Sequence, residues 1–357
     1  MALMLAMGCG KTDVLPETTA APQTTEQVTE EAATEPATEE TTQPETEEET
    51  EEETTGWARP SGNRNLLTGL YDLPDDEVGT RPVAVAVNNV MAAMPQYGIA
   101  QADIIYETVV EGDETRLLAI YPSYKNLPDI CSIRSYRYYF PTLALQYDAI
   151  YIHWGEDESK LDYYYSLDMD SYDGIRGGQL FGRDAYRLSL NYNVEHTSVF
   201  FGSLLPDQMA QDGVRTELAT GFNGIKAFNF NDFEETVSIG GDECKKIRGD
   251  FGKQWAKFEY DEESQTYLKW NDDDEHIDGA TGEQLSFTNL ILLETDISDR
   301  EDGYHKDVNW QGGEGYKGYY ITAGEVIEIT WAKPDEESKL ILKDTDGRFI
   351  NVNCGKT

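Results

Sequence analysis

The chain has 357 residues, with 68 acidic against 28 basic side chains and a formal net charge of −40. A surface this negative excludes nucleic acid, and charge-driven docking on anionic lipid, because like charges repel at both. No run of about 20 apolar residues exists, so no spanning helix is expected. Four cysteines (Cys9, Cys131, Cys244 and Cys354) in no metal-like spacing exclude a disulfide framework and leave at most one pair open among the last three.

At the start, Leu5-Ala6-Met7-Gly8-Cys9 reads as the tail of a bacterial lipoprotein signal peptide, residues 1–9, with Cys9 the lipidated residue and mature N-terminus. Ala6 stands where Leu is usual and no basic residue precedes the apolar run, so a late or trimmed start is expected. The competing reading is an unstructured start with an incidental cysteine. Residues 10–60 follow as a Thr/Glu/Pro-rich stalk. Between residues 12 and 55 there are fifteen acidic side chains, no basic one and no aromatic. Such a segment cannot bury enough apolar surface to offset its ordering entropy. As a flexible coil it spans roughly 35–40 Å, and more under self-repulsion. The expected location is the outer face of a bacterial cytoplasmic membrane, anchored through lipid on Cys9.

The rest of the chain still carries 53 acidic against 27 basic residues, counted without Lys11. Residues 61–224 alternate strand and helix signals. Pro82–Val87 is nearly continuous apolar, as in a strand covered on both faces. Strands are also expected at Ala102–Val110, Leu117–Tyr121 and Ala149–His153. A helix is expected to start near Tyr138, since Pro141 is tolerated only in a first turn. Residues 160–168 read as helix and Val199–Met209 as helical or mixed. This part predicts an α/β-type domain with a mixed sheet.

Residues 225–357 change character. Short alternating or aromatic runs (Phe228–Phe230, Thr236–Ile239, Trp255–Tyr260, Thr266–Trp270, Leu290–Leu293, Tyr319–Ile321, Val326–Trp331, Leu340–Leu342) are separated by Gly and Asp turn signals. They predict an antiparallel β-rich domain, so the fold class is α+β. The acidic run Asp272–His276 lacks the spacing of a calcium loop and reads as a solvated hairpin tip.

Several motifs together resemble the YerB-like lipoprotein family. In the first domain these are Arg81-Pro82-Val83-Ala84-Val85 with Asn89, Pro95-Gln96-x-Gly98-x-x-Gln101-Ala102-Asp103-Ile104-x-Tyr106-Glu107, Glu111-Gly112-x-x-Thr115-Arg116, Ile133-Arg134-Ser135-x-Arg137 and His153-x-Gly155. In the second they include Phe258-x-Tyr260-Asp261, His276-x-Asp278, Thr281-Gly282-Glu283-Gln284-Leu285, Gly324-x-Val326-Ile327-Glu328 and Trp331-x-Lys333. The resemblance spans about residues 66–357 and implies a lipid-anchored, wall-facing protein of Gram-positive-type bacteria, with no assigned chemistry to carry over. The chain departs from the family at Cys131-Ser132, where a Gly-Pro turn is usual, and at Trp154-Gly155-Glu156-Asp157-Glu158-Ser159, where smaller residues are usual. Any pocket there is expected to be reshaped and more acidic. The chain also stops at Thr357, short of a final strand common in the family, so a truncated terminus is expected.

Ligands collect at the carboxyl ends of strands in open α/β sheets. Asn89, Glu111 and His153 lie at or just past such ends, and Arg116, Arg134 and Arg137 come from nearby segments. Two arginines flanking Ser135 at a helix entrance suit a carboxylate or phosphate. The alternative is that they form internal ion pairs with Glu107 or Glu111. His153 is read either as a structural histidine or as a general base or metal ligand, and a two-histidine site requires His153 and His196 to meet. The candidate ligand-binding set is Asn89, Glu107, Arg116, Arg134, Ser135, Arg137, His153 and His196, and the catalytic candidates are His153, Glu156 and Glu111. No cofactor and no metal are expected.

These readings favour an envelope binding or accessory protein that recognises a cell-wall polymer or a wall-synthesis partner. The alternative is an envelope hydrolase or transferase acting on a glycan or phosphate ester, with His153 and a Glu as acid and base.

Overall fold

The computed structural model describes residues 60–357 and the backbone of Ala2–Leu5. Cys9 and nearly all of the expected stalk lie outside the described residues.

The first domain carries β2 (Val83–Asn88), β3 (Ile104–Val109), β4 (Thr115–Tyr121), β5 (Asp129–Cys131), α1 (Tyr139–Leu145), β6 (Ile150–His153), α2 (Leu161–Ser166), β7 (Ser171–Asp173), β8 (Phe181–Arg183), α3 (Ala185–Ser189), β9 (Ser198–Phe201) and α4 (Leu205–Asp212), after a short β1 (Ala2–Leu5). The second carries β10 (Asp242–Glu243), β11 (Lys246–Asp250), β12 (Trp255–Asp261), β13 (Thr266–Asn271), β14 (Asp274–Glu275), β15 (Ser286–Phe287), β16 (Asn289–Glu294), β17 (Ile297–Asp299), β18 (Lys306–Val308), β19 (Gly312–Thr322), β20 (Glu325–Ala332) and β21 (Ile341–Asp344). The fold is α+β, as expected: a mixed sheet with few, short helices, followed by antiparallel sheets.

One eleven-stranded sheet runs in the order β10-β20-β19-β16-β1-β3-β4-β2-β6-β7, with β21 on β20. The strands β16, β19 and β20 of the second domain join the sheet of the first through β1, which pairs parallel with both β16 and β3 and belongs to the segment read as the signal peptide. β2 sits inside it, antiparallel to β4 and parallel to β6. All its residues are buried, which explains its unbroken apolar run. Period-two geometry splits its side chains between two cores. Ala84 and Ala86 face Tyr136, Tyr139 and Phe140, around the start of α1. Val83, Val85 and Val87 face Ile130, Ile133 and Phe200 on the other side. Small residues on one face thus leave room for aromatic rings, each contributing about 1.5–3 kcal/mol on burial.

Helix α1 admits Pro141 near its start, as its sequence required, and Val199–Met209 divides into the end of β9, a 3-10 turn and the first part of α4. Two expected strands are absent. Thr236–Ile239 has its amides taken by side-chain acceptors, Val237 by Asn353 Oδ1 and Ile239 by Glu325 Oε2, instead of a ladder. Phe228–Phe230 makes only one bridge, Phe230 with Val352, while both rings pack into the core. Cys131, Cys244 and Cys354 are all free thiols.

The domains are bolted together beyond the shared sheet. Arg300 donates to both oxygens of the buried Asp157 at 2.8 Å, and Tyr138 Oη donates to the carbonyl of Val308 at 2.9 Å.

Candidate functional site

Strands β6 and β7 run parallel, and both end at a cavity of about 520 Å³. His153, the last residue of β6, lies at its floor and is 1% exposed. Its Nδ1 donates to the carbonyl of Gly155 at 3.0 Å, which leaves Nε2 as the lone-pair nitrogen facing Tyr164 Oη at 3.3 Å. Tyr164 Oη also lies 2.7 Å from the Ser171 hydroxyl. Asp173, at the end of β7, lies 3.7 Å from Nδ1 and accepts the amides of Gly155 and Ile175 at 2.8 and 2.9 Å. Burial pushes the His153 pKa down against the opposing charge of Asp173, so the ring is neutral at pH 7.

The cavity walls carry five carboxylates (Glu156, Asp168, Asp170, Asp173 and Asp212) against one guanidinium, Arg176. Glu156 accepts from Tyr165 Oη at 3.0 Å and Arg176 at 3.2 Å. Asp170 is taken by the buried Arg81. The rings of Tyr164, Tyr165, Tyr172 and Phe181 complete the wall. Of the acidic loop 154–159 only Glu156 lines this cavity, Asp157 being taken by Arg300, and the other carboxylates come from later segments.

The arginines lie elsewhere. Glu111 sits between Arg116 and Arg137, accepting Arg116 Nη2 at 3.0 Å and Arg137 Nε at 2.8 Å. Each arginine also donates to a backbone carbonyl at 2.7 Å, that of Ser135 or Tyr136. Both arginine side chains are buried. Burial raises the Glu111 carboxyl, but the two guanidinium charges outweigh it and hold its pKa at about 2. Ser135 Oγ donates to the carbonyl of Trp154 at 3.0 Å. This cluster is closed upon itself.

Arg134 pairs with Glu195 at 3.3 Å and lines a smaller cavity of about 300 Å³ with His196 and Lys253. His196 Nδ1 lies 3.0 Å from Asn88 Nδ2. His153 and His196 therefore line different cavities, and no two-histidine site forms. Asn89 and Glu107 face neither cavity: both are fully buried where the second domain covers the strand ends, with Glu107 3.1 Å from Lys269 Nζ. The hairpin tip at Asp272 is as expected, but His276 is buried, its Nε2 2.8 Å from Gln96 Oε1. Among the described residues, no group of three His, Cys, Asp or Glu side chains could hold a metal.

Four residues of importance were not singled out from sequence: Asp173, Tyr164, Arg176 and Lys269. Lys269 had a signal, since it shares the inward register of β13 with Tyr267 and Asn271.

A mixed sheet welded to antiparallel strands, with a polar cavity at its parallel edge, defines a two-domain α+β class. Residues 67–202 match the family described as "Protein of unknown function (DUF3048) N-terminal domain", and residues 247–357 match its C-terminal domain. The chain belongs to this family. It is 28% identical over 314 residues to "Putative lipoprotein YerB" of Bacillus subtilis (strain 168), covering 84% of each chain. The crystal structure of YerB protein from Bacillus subtilis superposes with a TM-score of 0.70 at 27% identity, covering 82% of this chain and 94% of that one.

Proposed function

We propose that the protein is a lipid-anchored binding or accessory protein on the outer face of the cytoplasmic membrane, presenting the His153 cavity to a cell-wall fragment. The lipobox-like Leu5–Cys9, the acidic stalk and the lipoprotein name of the Bacillus relative support the anchoring. No helix among the described residues is long and apolar enough to cross a membrane.

The observation that carries the binding reading is the cavity's lining. Carboxylates accept from sugar hydroxyls and from ammonium groups, and tyrosine faces stack on the apolar face of a sugar ring. A glycan–peptide fragment bearing free amines combines these features. The anion-clamp reading of Arg134 and Arg137 is the weaker one, because Glu111 already pairs with the buried Arg137 and Glu195 with Arg134. Arg134 and His196 remain at the rim of the second cavity as a subsidiary contact.

The test is calorimetric titration of purified wall fragments into the full chain carrying Cys9→Ser, beside Asp212→Asn and Tyr165→Ala variants. Binding that weakens about tenfold or more in folded variants supports the reading. Equal binding by all three proteins, or none, overturns it. Turnover of the fragment, abolished by His153→Gln, would establish the hydrolase alternative instead.

A further inference from the structure

The interior of the domain junction holds an arrangement that a purely structural network does not require. Lys269 Nζ lies 3.1 Å from Glu107 Oε2, and both side chains are fully buried. Neither of these two atoms has a hydrogen-bonded partner of good geometry. The other carboxylate oxygen, Oε1, accepts the side-chain amide of Asn89 at 2.9 Å. The amide oxygen of Asn89 accepts from Gln96 Nε2 at 3.0 Å and from Asn271 Nδ2 at 3.3 Å. Asn89 and Gln96 are 0% exposed and Asn271 is 1% exposed.

We propose that Lys269 and Asn89 become joined by an intramolecular isopeptide bond, with Glu107 moving the proton. Each residue has a chemical role in this step. A buried ammonium bears a large desolvation penalty, which favours the neutral amine, its proton passing to the facing Glu107 carboxylate. Burial accordingly lowers the Lys269 pKa against the attraction of Glu107. The Phe258 ring, 5.7 Å from Nζ, helps to keep water away.

The neutral amine attacks Cγ of Asn89. Charge then develops on Oδ1, where Gln96 and Asn271 already donate, as in an oxyanion hole. Glu107 takes a proton from the attacking nitrogen at one oxygen and delivers one to the departing nitrogen at the other. A C–N bond forms, a C–N bond breaks, and one ammonia leaves. No oxidant, reductant or co-reactant is required. The bond would fasten β13 of the second domain to the segment following β2 of the first, a cross-link suited to a protein outside the cell.

The test is peptide mapping by mass spectrometry of the folded full chain after prolonged incubation. The expected result is one linked species containing Asn89 and Lys269, lighter than its two peptides by one ammonia, with no tryptic cut after Lys269. Glu107→Ala should return two unlinked peptides of full mass. Recovery of the unlinked, full-mass Lys269 peptide from the folded unmutated chain overturns the proposal without relying on any variant. Linkage at undiminished extent in Glu107→Gln overturns the role given to Glu107.

Discussion

The Glu111 cluster and the His153 cavity arise from the same sheet, both just past strand ends and both built from charged and aromatic residues. They differ in what is left over after folding. Around Glu111, Arg116 and Arg137 have carboxylate and carbonyl partners within 3.0 Å, and none of the three lines either cavity described above. Around His153, Asp173 and Gly155 hold the ring, while Glu156, Asp212, Tyr165 and Arg176 surround open space. Density of charge does not make a binding site; a void lined by groups with remaining hydrogen-bonding capacity does.

That contrast can be broken at four points. Glu111→Ala would leave two buried guanidinium groups uncompensated and should cost about 3–5 kcal/mol of stability, measured by urea unfolding. Fragment binding by the remaining folded protein should be unchanged. A loss of binding without loss of stability would place the ligand at the arginines after all.

The second point is acid stability. The Glu111 pKa is held at about 2, below its ordinary 4.5. A depressed pKa contributes stability that is present above the unfolded value and lost as pH falls through the folded one. The chain should therefore lose about 3 kcal/mol from this group between pH 4.5 and 2. Glu111→Gln should flatten that part of the stability curve while lowering it at neutral pH. An unaltered acid limb would mean that the ion pairs are not formed in solution.

Third, Asp173→Ala leaves the amides of Gly155 and Ile175 without their acceptor and should cost about 1–3 kcal/mol. It also removes the charge that opposes burial, so the His153 pKa should fall further, as followed by NMR titration. A rise would contradict the assigned electrostatics. The smallest expected effect on stability, within about 0.5 kcal/mol, belongs to Tyr165→Ala on the cavity rim, where the side chain is exposed. Its effect on fragment binding should nevertheless be among the largest.

The apolar runs that became β2, β3, β4 and β6 were legible because each carries its own periodicity or continuity. Thr236–Ile239 looked like a strand, but Asn353 and Glu325, far away in sequence, supply its hydrogen bonds. The shared sheet was not legible for the same reason: pairing of β16 with β19 and β1 is a non-local fact. Among the site residues, His153 could be placed from the end of a buried strand and the acidic loop that follows it. Asn89 and Glu107 also sit near strand ends, yet β13 covers them. No local pattern announces that a second domain will close one strand end and leave another open.

The most direct measurement is side-chain NMR of the Cys9→Ser chain during titration with a purified glycan–peptide wall fragment, observing the imidazole nitrogens of His153 and the guanidinium groups of Arg116 and Arg137. The predicted result is a saturable shift of the His153 signals with the two arginines unmoved. Shifts at Arg116 and Arg137 with His153 unmoved, or no shift at any of them, would contradict the assignment of the binding site to the cavity.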